Sequence, residues 1–390
     1  MLSKLISNYE ALNKVIDGKE LSKNDAYQIY QESQNSPSSL YATARVLRNK
    51  HKGKVVTYSR KVFFNLINLC RDTCSYCTYK SEPTQSKLSM MPKNDVKDLA
   101  RLGKKYRCTE ALFVTGERPE EKYPQARKWL RENGFASTAE YLIHASGIAL
   151  KEGLFPHTNA GNLTKSEMNE LKNTNVSLGL MLENSSDRLL EKGMPHQFAP
   201  SKDPKERIKV LENAGELGIP MTTGVLIGIG ETAFEIIDSL YAIKKIHEKF
   251  GHIQEIILQN FQPKPDTAMR RVPSAEEAYF KNLVALARII IPEMNIQIPP
   301  NLSPQSYSDF LSVGINDWGG ISPVTPDYVN PEFSWPSIDI IEKNSSDAGF
   351  ELKARFPIYP EFVSFLHPDL KNSMSEISDS SGLVKMEYWK

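Results

Sequence analysis

The chain has 390 residues, with 48 Lys and Arg against 47 Asp and Glu and a net charge of +1. This balance excludes the basic surplus that is typical of a nucleic-acid binder. No apolar run approaches the roughly 20 residues that span a bilayer, and charge interrupts the N-terminus too early for a signal peptide. Four cysteines, three of them close together, do not indicate a disulfide framework. We expect a cytoplasmic protein in a reducing compartment, without nucleic-acid or membrane partners.

Residues 1–58 show helical patterning and are predicted to form an N-terminal helical extension. Leu12 and Val15 share one helical face, and Ser22 or Asn24 is the expected N-cap of the next helix. Such an extension is expected to pack on the main domain rather than to act in catalysis.

From residue 62 onward, short runs rich in β-formers alternate with longer helical patterns, which indicates βα units around a parallel sheet. The predicted strands are 62–69, 111–115, 154–158, 176–182, 221–228 and 254–260, with weaker ones near 294–298 and 311–315. Predicted helices include 95–105, 137–151 and 204–217. The sequence favours an α/β fold with a (β/α)8 TIM-like barrel over 59–365, a six-unit partial barrel being the alternative. Residues 366–390 are predicted to be a C-terminal tail, which is either loosely ordered or docked through Trp389.

Cys70, Cys74 and Cys77 lie in the loop that follows the first predicted strand. Thiolates bind soft metals, and a [4Fe–4S] cluster usually has four of them. Three clustered thiolates leave one iron without a cysteine, and an open coordination position is what a catalytic metal site keeps. A structural zinc knuckle is the alternative, but its fourth ligand would have to be Cys108 or His144, which lie much later in the chain.

The Cys-x3-Cys-x2-Cys spacing, with Tyr76 before the last cysteine, resembles the radical S-adenosylmethionine (SAM) superfamily. In that superfamily the methionine part of SAM chelates the open iron. An electron from the cluster then yields a 5′-deoxyadenosyl radical that takes a hydrogen atom from the substrate. The resemblance implies a [4Fe–4S] cluster held by the three cysteines, SAM as cofactor with Tyr76 beside it, and an external electron donor.

The second predicted strand ends in Thr115-Gly116-Glu117. A glycine lets a ligand approach the backbone, and the neighbouring acid can accept hydrogen bonds from an ammonium group. The segment resembles the Gly-Gly-Glu of the superfamily, with Thr115 in place of the first glycine. The resemblance implies that these residues hold the amino group of SAM.

Two further strand ends resemble SAM-binding segments. Glu183 is implied to meet the ribose hydroxyls and Arg188 the carboxylate of SAM, although Arg188 fits a solvated helix charge equally well. Residues 224–231 resemble the fifth-strand segment beside adenine. This resemblance places Gly228 and Glu231 at the SAM site, with Glu231 as an acid that orders the loop.

Polar residues at other predicted strand ends are candidates for contacts with a substrate rich in hydrogen-bonding groups. They are His157, Asn159, Thr223, Gln259, Asn260, Gln297 and Asn301. Asp317 and Trp318 are further candidates, because they lie beside paired glycines in a proline-rich stretch. A capping segment with a core tryptophan is the alternative interpretation.

Several segments together resemble one family, the CofG subunit of 7,8-didemethyl-8-hydroxy-5-deazariboflavin (FO) synthase. They are residues 70–77, 157–159, 193–196 with 202–204, 214–224, 298–302 and 316–320. The resemblance implies a radical SAM lyase of coenzyme F420 biosynthesis. Its implied substrate is the adduct of a tyrosine-derived hydroxybenzyl group with 5-amino-6-ribitylaminouracil, made by a sister radical SAM subunit. The lead-in of related enzymes implies that the N-terminal extension plugs the lower end of the barrel.

Two other functions stay open. One is a sister radical SAM enzyme, either the tyrosine-cleaving FO synthase subunit or a menaquinone-pathway relative. The other is a zinc-stabilised metabolite-binding protein without catalysis.

Overall fold

Eight parallel strands close into a barrel in the computed structural model, which describes residues 10–390. The strands are β1 (Val55–Ile67), β2 (Glu110–Thr115), β3 (Phe155–Asn159), β4 (Ser177–Gly179), β5 (Met221–Ile227), β6 (Ile253–Asn260), β7 (Ile296–Gln297) and β8 (Asp317–Ile321). Each strand pairs with the next, and β1 pairs with both β2 and β8. The predicted TIM-like barrel is confirmed.

Helices precede the barrel and surround it. Those before β1 are α1 (Glu10–Ile16), α2 (Lys23–Ser33) and α3 (Ser38–Lys52). Those after it are α4 (Lys93–Lys105), α5 (Pro119–Lys122), α6 (Pro124–Glu132), α7 (Thr138–Lys151), α8 (Lys165–Leu171), α9 (Pro204–Glu216), α10 (Ala233–Phe250), α11 (Glu277–Ile290), α12 (Ile338–Asp347) and α13 (Pro368–Ser375). Ser22 caps α2, accepting a hydrogen bond from Asp25 N at 3.1 Å as predicted.

The eighth strand lies later in the chain than predicted. Residues 311–315 do not form a strand, because Leu311 and Val313 belong to the 3₁₀ helix Tyr307–Val313, where both are buried. Gly314 follows with a φ of +123°, which residues with a side chain rarely adopt, and the chain then enters β8. A short apolar run suits a buried helical turn as well as a strand, so the pattern alone misplaced this element.

The lower end of the barrel is sealed by the chain that follows β9 (Glu351–Arg355), a strand that pairs with the first half of β1. Phe356 packs edge-on against Phe155, and Gln254 Nε2 donates to Pro357 O at 3.3 Å. Helices α2 and α3 instead pack against the outer helices α10 and α11. The segment that plugs the barrel is therefore C-terminal, and the predicted N-terminal plug is wrong.

The C-terminal tail is docked on the barrel, as Trp389 predicted. The Trp389 side chain is buried and packs edge-on against Tyr58 with 5.8 Å between ring centroids. Arg60 Nη1 donates to Trp389 O at 3.1 Å. Within residues 10–390 we find no helix with the length and apolar character needed to cross a bilayer.

Candidate functional site

The carboxyl ends of the strands surround a cavity of about 310 Å³. This end of a TIM-like barrel is where active sites are built. Of the residues predicted from the sequence, the cavity wall includes Cys70, Cys74, Tyr76, Cys77, Thr115, Gly116, Glu117, Asn159, Glu183, Gln259, Gln297 and Trp318. The fold therefore brings the predicted cluster loop together with most of the predicted SAM residues.

The loop that carries the three cysteines is held by backbone hydrogen bonds to neighbouring loops. Thr73 N donates to Phe198 O at 2.7 Å, and Arg71 N donates to Glu117 O at 2.9 Å. These bonds join the loop after β1 to the loops after β4 and β2. The fold, rather than local sequence alone, sets the positions of the three thiols.

The chemistry of the three thiols fits an iron–sulfur cluster. Burial raises the pKa of the Cys70 and Cys74 thiols to about 12, so a positively charged metal centre is needed to keep them as thiolates. Among the described residues, no three His, Cys, Asp or Glu side chains are arranged to hold a metal ion. A cluster offers each thiolate a different iron atom, so it suits this arrangement better than a single zinc ion. Glu117 N donates to Cys70 Sγ at 3.2 Å, a bond of the kind that tunes cluster potential.

Gly116 and Glu117 serve the site in two different ways. A Cβ on Gly116 would lie 1.9 Å from Leu69 O, so the glycine admits the cysteine loop itself rather than a ligand. Glu117 Oε2 accepts from Asn162 N at 3.0 Å, whereas Glu117 Oε1 is buried without a hydrogen-bond partner among the described residues. Burial raises the pKa of the Glu117 carboxyl. An unsatisfied buried carboxylate oxygen on the cavity wall is the group that a cationic amino group of a ligand would satisfy.

Glu183 lines the cavity in a strained conformation. Its φ is +63°, which is uncommon for a residue with a side chain and recurs at functional sites. Its carboxylate forms an ion pair with Lys202, which comes from the 3₁₀ helix Pro200–Lys202. The sequence indicated Lys202 only as part of a segment that resembles the family, not as a site residue, because the two residues meet only when the loops after β4 fold together.

Tyr76 also lines the cavity, and its hydroxyl lies 3.0 Å from His196 Nε2. Burial, with the charges of Lys202 and Arg207, lowers the pKa of His196 to about 2. The imidazole is therefore neutral and positions Tyr76 through a hydrogen bond rather than through charge.

The structure does not bring Arg188, Gly228 and Glu231 to the cavity wall. Arg188 Nε donates to Glu235 at 2.8 Å and its Nη2 donates to Gly230 O at 2.9 Å, so the predicted contact with the SAM carboxylate is wrong. Glu231 accepts from the backbone N of Gly228 at 2.8 Å, which agrees with its predicted ordering of the loop. A Cβ on Gly228 would lie 2.9 Å from the Ala275 side chain, so this glycine allows loop packing.

The substrate candidates divide into two groups. Asn159, Gln259 and Gln297 line the cavity, and their side chains make no hydrogen bond to any described residue. Trp318 also lines the cavity, and its contact with substrate stays a prediction. The other five do not line the cavity, so structural roles replace their predicted contacts with substrate. All six side chains make contacts within the protein. These contacts join His157 to Ser177, Thr223 to Leu182, Asn260 to Leu302, Asn301 to Asp327, Asp317 to Arg355 and Trp318 to Ser345.

Sequence reasoning also missed cavity residues that lie inside strands or in late loops. Lys61 lies in the middle of β1, and Lys264 and Trp335 come from loops after β6 and β8. A charged residue at an alternating position of an otherwise buried strand was the available signal for Lys61.

Residues 64–241 match the family model described as the radical SAM superfamily. The chain is 44% identical over 334 residues to "7,8-didemethyl-8-hydroxy-5-deazariboflavin synthase" of Methanopyrus kandleri, covering 85% of this chain and 100% of that protein. It is 40% identical over 395 residues to "FO synthase" of Nocardia farcinica, covering 97% of this chain but 46% of that protein. The chain thus spans all of the first relative and less than half of the second.

Solved structures share the fold at low sequence identity. The FeFe-hydrogenase maturase HydG from Carboxydothermus hydrogenoformans superposes with a TM-score of 0.70 and 20% identity, over 95% of this chain and 87% of that chain. Methylornithine synthase (PylB) gives a TM-score of 0.68 and 17% identity, over 88% and 97%. At 20% and 17% sequence identity, the similarity shows only that these proteins share the barrel fold.

Proposed function

The chain belongs to the radical SAM superfamily and, within it, to the 7,8-didemethyl-8-hydroxy-5-deazariboflavin synthase family, and we propose that it closes the deazaflavin ring in coenzyme F420 biosynthesis. As a radical SAM enzyme it uses a [4Fe–4S] cluster and SAM. The proposed substrate is 5-amino-5-(4-hydroxybenzyl)-6-(D-ribitylimino)-5,6-dihydrouracil. The proposed reaction is that of a carbon–nitrogen lyase. The substrate loses one hydrogen atom to the 5′-deoxyadenosyl radical, the ring closes with loss of ammonia, and the remaining ring radical loses one electron to an external one-electron acceptor and one proton to solvent.

One observation carries this proposal: a single cavity contains the three thiols together with polar groups that have no protein partner. When bound, the cluster and SAM supply a 5′-deoxyadenosyl radical that abstracts hydrogen. Cys70, Cys74 and Cys77 would hold the cluster. The free carboxylate oxygen of Glu117 would accept from the SAM amino group, and Glu183, oriented by Lys202, would accept from its ribose hydroxyls.

The remaining wall of the cavity favours radical chemistry because it is largely apolar. Leu112, Met181, Leu226, Ile257 and Phe261 line it between the polar groups. Together with the sealed lower end of the barrel, these side chains would limit the access of water to the reacting atoms once cofactor and substrate fill the cavity. Exclusion of competing hydrogen donors matters more here than acid–base catalysis, because the cofactor carries the difficult step.

The proposed partners follow from the number of radical sites. The sequence contains one three-cysteine loop and therefore one radical-generating site. Building the deazaflavin from tyrosine and 5-amino-6-ribitylaminouracil needs hydrogen abstraction from two different substrates. We therefore assign the tyrosine step to a sister radical SAM subunit. An external donor would supply the electron in a reducing, cytoplasmic setting, which the four free cysteines support.

The test is an anaerobic assay of the reconstituted protein with SAM and a reductant, in which deazaflavin fluorescence is measured. We expect product from the preformed adduct, and none from tyrosine plus 5-amino-6-ribitylaminouracil unless the sister enzyme is added. The Cys77→Ala variant is the matched control that should give no product from either. Product from tyrosine and the diaminouracil with this chain alone, or tyrosine cleavage without ring closure, would overturn the proposal.

A further inference from the structure

Several polar side chains on the cavity wall make no hydrogen bond to any described residue. Four of them are the amides of Asn159, Gln259 and Gln297 and the ammonium group of Lys61. Gln297 and Lys61 are buried, whereas Asn159 and Gln259 are half-buried. Buried polar groups in folded proteins are nearly always bonded, and leaving one unsatisfied costs on the order of 1–3 kcal/mol. Such groups on one cavity wall indicate that a bound molecule completes their hydrogen bonds.

Lys61 is the least expected of the four, because it is a charged residue inside a barrel. It is only 7% exposed, and among residues 10–390 it has no ion pair. Its Nζ lies 4.6 Å from the ring centroid of Trp335 and 5.8 Å from that of Phe63. Burial lowers the pKa of Lys61, against the opposing charges of Glu110 and Asp327. Aromatic faces stabilise the ammonium in part and leave its N–H donors available.

The paired glycines of β8 make room for two of these side chains. A Cβ on Gly320 would lie 2.3 Å from Cδ and 2.8 Å from Nζ of Lys61. A Cβ on Gly319 would lie 2.0 Å from Nε2 of Gln297. Side chains at these two positions would displace Lys61 and Gln297 from the places they occupy. The two glycines that follow Trp318 therefore shape the cavity, whereas the Asp317 side chain is bonded to Arg355 at the lower end.

Lys61 lies at the deep end of the cavity, away from the cluster loop. Lys61 lies six positions before Ile67, the last residue of β1, and six steps along a strand span roughly 20 Å. The groups assigned to SAM, Glu117 and Glu183, follow the upper ends of β2 and β4. A ligand bonded to Lys61 is therefore the second molecule in the site, not the cofactor.

We infer that Lys61, together with Gln297, binds the carbonyl edge of a pyrimidinedione ring at the deep end of the cavity; this inference rests on the proposed function. That edge alternates C=O, N–H and C=O. An ammonium donates to carbonyl oxygens, and a glutamine amide offers one donor and one acceptor in a plane. Trp335 Nε1 is a further buried donor, without a hydrogen-bond partner among residues 10–390. The proposed substrate and product share this ring, so both should bind through it.

The experiment measures equilibrium binding of the fluorescent product, 7,8-didemethyl-8-hydroxy-5-deazariboflavin, to the anaerobic holoenzyme. Lys61→Met keeps most of the side-chain volume and removes the charge. We expect product affinity to fall about 10- to 100-fold, the usual worth of a hydrogen bond to a charged group. Iron content and SAM affinity should stay within about twofold of the wild type. Lys264→Met is the matched control: Lys264 Nζ already donates to Val329 O at 2.8 Å, so its loss should weaken product binding less.

Gly320→Ala provides an independent test without removing the charge. The added methyl group would displace the Lys61 side chain, so product affinity should fall in this variant as well. In the double variant the two losses should not add, because both act on the same ammonium group. This variant also keeps the inference testable if Lys61→Met fails to fold.

Three results are decisive. Unchanged product affinity in both single variants, with a wild type that binds product, would overturn the assignment of Lys61 and leave the proposed function intact. Loss of SAM affinity in Lys61→Met would also overturn it, by placing Lys61 at the cofactor. A wild type that neither binds the product nor converts the adduct would instead refute the proposed function.

Discussion

The two ends of the barrel interior contain charged and polar groups of the same kinds, but they use them differently. At the lower end, Arg355 Nε donates to Asp317 at 2.7 Å and Nη2 donates to Glu255 at 2.9 Å. Tyr359 OH donates to Glu255 Oε1 at 2.7 Å. In the cavity above this network, Lys61 contacts the Trp335 ring but has no hydrogen bond or ion pair within residues 10–390, and one oxygen of Glu117 is buried without a hydrogen-bond partner among them.

This difference distinguishes polar groups that stabilise the fold from polar groups that are available to bind a ligand. Removing one member of a satisfied network leaves its partners buried and unpaired, so the cost falls on stability. Removing a group that has no partner leaves the protein's own contacts unchanged, so the cost falls on ligand binding. Substitutions at one end at a time, with stability and ligand binding both measured, distinguish the two kinds of polar group.

The largest effect is expected from the cluster ligands. Replacing Cys70, Cys74 or Cys77 with Ala should abolish cluster retention and SAM cleavage, because three thiolates leave no spare ligand. Iron analysis and 5′-deoxyadenosine release measure the two losses. Cys108→Ala is the matched control, since Cys108 is buried away from the cavity wall and should behave as a small apolar residue. Equal iron loss in the Cys108 variant would contradict the assignment.

At the lower end, Arg355→Met should destabilise the protein by about 3–5 kcal/mol, because Asp317 and Glu255 would be left buried without their cation. Arg188→Met is the matched control. Arg188 also pairs with a carboxylate, Glu235, but its side chain is 36% exposed, so its loss should cost less than about 1 kcal/mol. The melting temperature of each variant is measured. Similar decreases in the two variants would mean that burial does not determine how much stability is lost when an ion pair is broken.

At the upper end, Glu117→Gln should weaken SAM binding about 10- to 100-fold, the usual worth of a charged hydrogen bond. Its melting temperature and iron content should stay near those of the wild type, since Glu117 Oε1 has no protein partner to lose. Glu121→Gln is the control. Glu121 forms an ion pair with Arg71, but its side chain is 52% exposed and lies outside the cavity wall, so SAM binding should not change. If Glu117→Gln mainly lowered the melting temperature, its carboxylate would belong with the structural network instead.

The sequence was informative where the signal is local. The cysteine spacing, the Thr115-Gly116-Glu117 segment and the alternation of strands and helices each occupy a short stretch, and each correctly indicated a part of the barrel or its cavity. Gly116 was placed correctly, but its expected reason was wrong, since the group that approaches it is Leu69 O. A bulky residue there should therefore displace the cysteine loop as well as weaken SAM binding.

The sequence was uninformative where a role depends on a distant partner. Asp317 looked like a substrate contact until the chain after β9 brought Arg355 to it. Lys61 precedes the predicted first strand and was not singled out from the sequence; only barrel closure sets it beside Gly320 and Trp335, without an ion pair among the described residues. In both cases the residue type was visible, and only the pairing across the barrel decided between structure and function.

The smallest effect expected is a change in how stability depends on pH at the lower end. Burial raises the pKa of Glu255 to about 7, with Arg355 opposing and Asp317 reinforcing the shift. Between the ordinary carboxyl pKa of 4.5 and about 7, the folded protein holds a proton at Glu255 that the unfolded chain has released. The contribution of Glu255 to the free energy of unfolding therefore decreases as the pH rises from 4.5 to about 7.

Glutamine resembles the protonated carboxyl group, so Glu255→Gln should remove this dependence. The quantity to follow is the difference in melting temperature, variant minus wild type. We expect this difference to increase by roughly a few degrees between pH 5 and pH 7 and to stay constant at higher pH. Taking the difference cancels the other titrating groups, including His157, whose pKa burial lowers to about 4. A difference that stayed flat or fell over this range would show that Arg355 keeps Glu255 ionised, and the lower network would then be a fully charged one.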